Sequence, residues 1–235
     1  MKPIKSYRVW MSQRNGSTVL CKALEQTGIA GKPNELFNIY EPDTLCSVYK
    51  ANSYVTLRKK LWELGSTPNG VFGIKHSNIT DRMDRIFAEL CHLRGMDPLT
   101  IENTNMIWDD LFPNCKHIFL TRRNKVRQAV SWWKAINDNQ WHIESGKSHT
   151  PEDKFYEDKY DYDALFHLLK ETVLRECSVQ QWFSERNIQP LTFVYEDFIQ
   201  DFDGTVQRAI DFLEIEYDEI DFAKPYYRKI ADSYS

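Results

Sequence analysis

The sequence predicts an α/β fold: a central parallel sheet flanked by helices. Three observations lead there. Four short runs rich in β-branched, aromatic and other apolar residues are spread along the chain: YRVWM (7–11), VFGIK (71–75), HIFLT (117–121) and LTFVY (191–195). Between them, apolar residues recur three and four positions apart, the period of a helix buried on one face. Strands that alternate with helices are joined by crossovers, which leave neighbouring strands parallel. The 235 residues suit one domain, predicted over 1–235 with a polar insertion or lid near 139–161.

The elements follow in order. The first strand, 7–11, runs into the polar turn SQRNGST; Leu20, Ala23 and Leu24 then mark a helix, with Gly28 as its C-cap. Residues 31–45, with Gly31, Pro33 and Pro42, read as loop. A helix is expected within 46–64. The second strand, 71–75, precedes a helix from a cap at Asp81 to about Leu93. Asp97-Pro98 reads as an N-cap with proline at the first helical position; that helix runs towards Leu111 and stops before Pro113. After the third strand, Val126, Ala129, Val130 and Trp133 at i, i+3, i+4 and i+7 predict an amphipathic helix. Residues 139–161 are polar and irregular. Leu165, Leu168, Leu169 and Val173 open a long helix to about Arg186. The fourth strand, 191–195, leads to a last helix carrying Val206, Ala209, Ile210 and Leu213, with Asp203 near its start.

Charge and composition narrow the function. Thirty Lys and Arg against 34 Asp and Glu give a net charge of −4. That leaves no bulk basic field for nucleic acid or an anionic membrane, and no nucleic-acid partner is expected. No apolar run approaches a transmembrane span, and the first residues show no leader-like apolar stretch. Five widely spaced cysteines without a CxxC argue against a disulfide framework and a structural zinc site. A reduced, cytoplasmic setting is expected. The six histidines form no ligand pair at helical spacing, so no metal is expected.

Any anion site must therefore be made locally, and two segments offer one. Ser12-Gln13-Arg14-Asn15-Gly16-Ser17-Thr18 joins a strand to a helix. Gly16 can take backbone angles closed to other residues, so the chain can wrap an anion. The helix start aims free N–H groups and a partial positive charge at it. Arg14 adds a forked, permanently charged donor, and Asn15, Ser17 and Thr18 add polar groups. The ATPase form GxxxxGK[ST] is absent: Met11 stands where its first glycine would be and Ser17 where its lysine would be. The second segment is Thr121–Ser131. Arg123 lies at a strand end and Ser131 about two turns into the next helix, so both could reach one phosphate. Arg122, Lys125 and Arg127 read as solvated surface residues. The two segments follow strands of one sheet at one edge, which suits two phosphates at the two ends of a nucleotide.

In these blocks the chain resembles the P-loop-like sulfotransferases that use 3′-phosphoadenylyl sulfate (PAPS). It is most similar to their bacterial trehalose 2-sulfotransferase family. SQRNGST with GKPNELF, the block IFLTRRNKVRQAVSWWKA and the shorter LTFVYEDF carry the resemblance. It implies the P-loop-like sulfotransferase architecture, PAPS as donor, adenosine 3′,5′-bisphosphate (PAP) as product, a sugar or glycolipid acceptor, and a homodimer. It further implies that Arg14, Asn15, Gly16, Ser17 and Thr18 receive the 5′-phosphosulfate, that Arg123 and Ser131 take the 3′-phosphate, and that Glu35 is the general base. Arg123-Asn124-Lys125 departs from the wider family's Arg-Asn-Pro. Many eukaryotic members use a histidine base, and His76 is the one placed for that role here.

The chemistry fits these residue types. An alcohol needs its proton accepted before it can attack, which a carboxylate or imidazole does. The leaving phosphate oxygen gains charge, which Arg14 and the turn amides stabilise. Trp132, Trp141 and His142 are expected to bind the acceptor, whereas Trp133 lies on the apolar stripe of its helix and reads as core. Two other readings stay open at this point: a small-molecule kinase with a degenerate P-loop, and a non-catalytic nucleotide-binding module.

Overall fold

A computed structural model describes residues 1–77, 80–97, 100–138, 141 and 160–218. Four strands, β1 (Lys5–Trp10), β2 (Val71–His76), β3 (Cys115–Thr121) and β4 (Leu191–Val194), form one parallel sheet in the order β2-β1-β3-β4. The helices are α1 (Ser17–Gln26), α2 (Leu45–Tyr49), α3 (Tyr54–Gly65), α4 (Thr80–Leu93), α5 (Ile101–Leu111), α6 (Lys125–Asp138), α7 (Tyr162–Glu185), α8 (Tyr195–Phe198) and α9 (Phe202–Phe212). The predicted α/β class and all four predicted strands are present. No helix among the described residues is long and apolar enough to cross a membrane.

Alternation along the strands divides the core. Tyr7, Val9, Val71, Ile118, Leu120 and Phe193 face α1 and α9, where they meet Leu20, Leu24, Val206, Ala209 and Ile210. Phe72 and Ile74 face the opposite way, towards α3, α4 and α5, packing with Leu57, Leu61, Ile86, Leu90, Ile107 and Leu111. Trp10 and Phe119 pack with Val179 and Phe183 of α7. Covering both faces explains why the strands read as nearly continuous apolar runs. Each fully buried leucine contributes about 2 kcal/mol.

Several boundaries and faces differ from the sequence expectation. The 46–64 helix is two, because Thr44 and Ser53 each cap a helix start through a side-chain oxygen. α4 begins at Thr80, so Asp81 lies inside the helix rather than capping it. Thr100, not Asp97, caps α5; Pro98 lies outside the described residues. Asp201 accepts from the Gly204 amide and caps α9, with Asp203 in its first turn as expected. α6 is turned by about one residue: Gln128, Ala129, Trp132, Trp133 and Ala135 are buried while Val126 is 62% exposed. In α7 the buried stripe is Leu168, Thr172, Glu176, Val179 and Phe183, and Val173 faces out. Gln128 and Glu176 took core positions because they had hydrogen-bond partners there.

Candidate active site

The turn between β1 and α1 is built by two residues with positive φ. Gly16 sits at φ 88 as the N-cap of α1 and supplies no side chain to the helix start. A Cβ there would lie 2.5 Å from Cδ2 of Tyr195, so the close approach of that ring demands glycine. Arg14 is at φ 65, a conformation that costs a non-glycine residue roughly 1–2 kcal/mol. Such strain persists where the surroundings over-determine it, often at functional sites. Asn15 locks the turn from within: it is buried, its Nδ2 donates to the Leu120 carbonyl at 2.7 Å, and its Oδ1 accepts from the Ser17 amide at 3.2 Å.

The Arg14 guanidinium is held over the turn. Its Nε donates to Ser131 Oγ at 3.1 Å and its Nη1 to the Trp141 carbonyl. Burial, and then the nearby Arg122 charge, lower its pKa. One side chain thus ties the two expected anion segments together. Trp141 arrives through its backbone, with its ring part exposed. His142 lies outside the described residues.

Behind the turn lies a network that the sequence did not reveal. Arg122 is buried, donates to the Arg14 carbonyl at 3.4 Å, lies 4.8 Å from the Tyr195 ring centre and stands 3.7 Å from Glu196. The expectation that it is a solvated surface residue fails because the strand end turns it inward. Lys125, expected to be solvated as well, donates to Glu176 at 2.5 Å and to Thr121 at 2.8 Å. Arg123 points outward instead, donating to Asp197 at 3.0 and 2.8 Å, while its backbone amide donates to Glu196.

Glu35 approaches the same turn from the other side. Gly31, at φ 71, has backbone atoms of Gly73, Gly65 and Val71 within 3.1 Å of where its Cβ would stand. This lets the following segment run along β2. Asn34 bridges Ile74 there, and its carbonyl accepts from the Lys75 amide. Lys75 is buried, and its Nζ pairs with Glu35 Oε1 at 2.8 Å and donates to Thr18 Oγ1 at 2.9 Å. Lys75 therefore joins Glu35 to the first turn of α1. No periodicity singled out Lys75; its partnership with Glu35 spans forty positions and exists only in the fold.

His76 is next in sequence but lies on the opposite face of the sheet. Arg8 donates to its Nε2 through Nε at 3.2 Å and through Nη2 at 3.0 Å. A guanidinium has only donors, so Nε2 is the acceptor and the ring proton belongs on Nδ1. That Nδ1 is buried without a partner among the described residues. Burial first, then the Arg8 and His117 charges, hold the His76 pKa well below its usual value. An imidazole so placed has no free lone pair for a substrate proton. Trp132, expected at the acceptor, is 7% exposed and packs with Ala129, Trp133 and Leu168, under the Arg175 guanidinium at 4.9 Å. It is core, as Trp133 is.

The turn at the end of the first strand thus gathers Arg14, bonded to Ser131 of α6, and Thr18, bonded to the lysine that holds Glu35. The protein belongs to the Stf0 sulphotransferase family, which it matches over residues 6–235, and it is a sulfotransferase. It is 26% identical to the trehalose 2-sulfotransferase of Mycobacterium tuberculosis, over 89% of this chain and 84% of that protein. It is 28% identical to the trehalose 2-sulfotransferase of Mycolicibacterium smegmatis, over 81% and 77% of the two chains. Among solved structures, a sulfotransferase from Alicyclobacillus acidocaldarius aligns over 94% of this chain and 84% of its own, with TM-score 0.47 and 14% identity.

Proposed function

We propose that this enzyme transfers the sulfuryl group of PAPS to a hydroxyl of a carbohydrate, with a trehalose-like disaccharide as the acceptor class. The observation that carries the reading is the Glu35–Lys75–Thr18 chain, which sets a carboxylate beside the end of the anion turn, at the start of α1. In the reaction the acceptor oxygen bonds to sulfur, the bond from sulfur to the 5′-phosphate oxygen breaks, and Glu35 takes the acceptor's proton. The products are a sulfate ester and PAP. Lys75 orients Glu35, and orientation within hydrogen-bond reach is what a general base requires. Arg14 and the free amides at the start of α1 stabilise the charge that grows on the leaving phosphate oxygen.

The family supports Arg123 and Ser131 as the 3′-phosphate pair. Ser131 is already within reach of Arg14. Arg123 pairs with Asp197 in solvent, where an ion pair is weak, so a phosphate can take the arginine from it. Arg122 supports the turn from beneath through the Arg14 carbonyl. The burial of Trp132 leaves Trp141 as the described aromatic candidate for sugar contact.

The test is calorimetric titration with PAP, with 5′-AMP and with ATP plus magnesium, followed by turnover of PAPS with trehalose. Metal-independent binding that needs the 3′-phosphate, together with sulfation of the sugar, is the expected result. Preference for ATP with magnesium would overturn the reading in favour of a kinase, and PAP binding without turnover on any sugar would leave a non-catalytic nucleotide module.

A further inference from the structure

One carboxylate behind the donor turn is joined to everything around it. Glu176, in the middle of α7, is 5% exposed. Its Oε1 accepts from Ser12 Oγ at 2.9 Å. Its Oε2 accepts from Thr121 Oγ1 at 2.7 Å and from Lys125 Nζ at 2.5 Å. Ser12 in turn accepts from Gln128 Nε2 at 2.8 Å, and the same amide nitrogen donates to the Gln13 carbonyl at 2.7 Å. One position earlier on α7, Arg175 donates to Gln13 Oε1 at 2.6 Å. A single acidic side chain therefore clamps the first residue of the 12–18 turn to the last residue of β3 and the first residue of α6.

We infer that Glu176 is a positioning residue for the donor nucleotide, setting the separation between the turn that meets its 5′ end and the block that meets its 3′-phosphate. The inference rests on the proposed function and adds to it a residue that touches no substrate. Two arguments support it. A buried carboxylate is costly unless its acceptor sites are filled by donors, and here the filling donors come from both anion-binding segments and nowhere else among the described residues. A core of α7 could be apolar at this position, since Leu168, Val179 and Phe183 occupy the same stripe. What the carboxylate adds over an apolar side chain is a fixed geometry between two loops that are otherwise hydrogen-bonded, among the described residues, through Asn15, Gln128 and the arginines 14 and 122.

A nucleotide that bridges two segments loses affinity when their spacing is loosened, while the transfer step, once both ends are seated, is spared. Glu176→Ala and Ser12→Ala are each expected to raise the PAP Kd about tenfold, the size expected for losing a charge-assisted contact. The double variant is expected to do no worse than either single one, because both remove the same coupling. Glu176→Gln keeps an acceptor for Ser12 and is expected to fall between wild type and Glu176→Ala. At saturating PAPS, kcat stays close to wild type in the Glu176 variants.

Calorimetry with PAP and steady-state kinetics on the full chain decide the matter. If Glu176→Ala folds poorly, Ser12→Ala and Thr121→Val read the same coupling with smaller changes. Variants that melt earlier but bind PAP as the wild type does overturn the inference, since the role would be structural alone. Additive effects of Ser12→Ala and Glu176→Ala, or a kcat that falls with an unchanged KM for PAPS, overturn it as well. Failure of the wild-type chain to bind PAP would instead sink the functional reading on which it stands.

Discussion

Lys75 and His76 are neighbours on β2, both buried and both polar, yet they belong to different worlds. Lys75 faces α1 and spends its charge on Glu35 and Thr18. His76 faces the other layer, where Arg8 occupies its acceptor nitrogen and Trp10 stands 4.4 Å away, ring centre to ring centre. The aromatic layer packs its charge among rings: the Arg8 guanidinium lies 4.1 Å from the Trp10 ring centre and 3.6 Å from that of Trp108, and Trp10 Nε1 donates to His117 Nδ1 at 3.0 Å. The lysine layer opens at Glu35, whose side chain is about one third exposed. The difference teaches that two neighbouring polar residues on one strand can be separated by the face each occupies, which is what favours Glu35 over His76 as the proposed base.

The largest test of this contrast is at the base. Glu35→Gln is expected to lower kcat by roughly a thousandfold, within the range for removing a general base, while PAP binds as before. Lys75→Met should lose rate in the same direction but less, since Glu35 survives unheld. His76→Gln should lower thermal stability and leave the rate of the folded enzyme near wild type. A kinetic loss at His76 without one at Glu35 would reverse the assignment of the two faces.

Arg14→Ala comes next. Removing one preorganised donor to a developing oxyanion costs about 3 kcal/mol, so kcat is expected to fall about a hundredfold. A wild-type kcat would mean that the guanidinium serves only to bind Ser131 and the Trp141 carbonyl.

The aromatic layer gives a pH signature. Burial, then the Arg8 charge, lower the His117 pKa to about 3, and His76 is also well below the ordinary value. Unfolded imidazoles titrate near 6.5. Between these limits the unfolded chain binds protons that the folded chain refuses. Stability is therefore full above about pH 6.5 and falls as the pH drops, by up to about 1.4 kcal/mol per pH unit for each imidazole. Urea midpoints compared at neutral and mildly acidic pH read this directly, and His117→Asn should flatten the slope. An unchanged midpoint would contradict the neutral, buried pair.

The smallest effect is expected at the 3′-phosphate. Ser131→Ala should weaken PAP by about tenfold or less, the loss of one hydrogen bond to a charged group. Arg123→Ala should weaken PAP and leave 5′-AMP unaffected. Equal loss for both nucleotides would move Arg123 away from the 3′ end.

How far the sequence reached is visible residue by residue. The strand runs were legible because strands buried on both faces need apolar side chains at every position. The anion turn was legible because Gly16 and the residues beside it are local, and Glu35 because its segment matches the family. The α6 and α7 faces were misread where polar side chains lie on the buried stripe. Gln128 and Glu176 look like surface residues until Ser12, Thr121 and Lys125 are brought against them. Arg122 and Arg123 are equivalent in a sequence, and only the twist of the strand end decides which turns inward.

The sequence by itself therefore determined the four strands, their parallel α/β arrangement and the turn at the end of the first strand, because these depend on hydrophobic period and on backbone freedom over a few neighbouring residues. Tertiary structure alone decided that Lys75 holds Glu35, that Arg8 silences His76, and that Trp132 is core. Each of these depends on a pairing between residues far apart in the chain. A buried polar group takes whichever partner the packing brings within hydrogen-bond distance, and packing is a property of the whole fold.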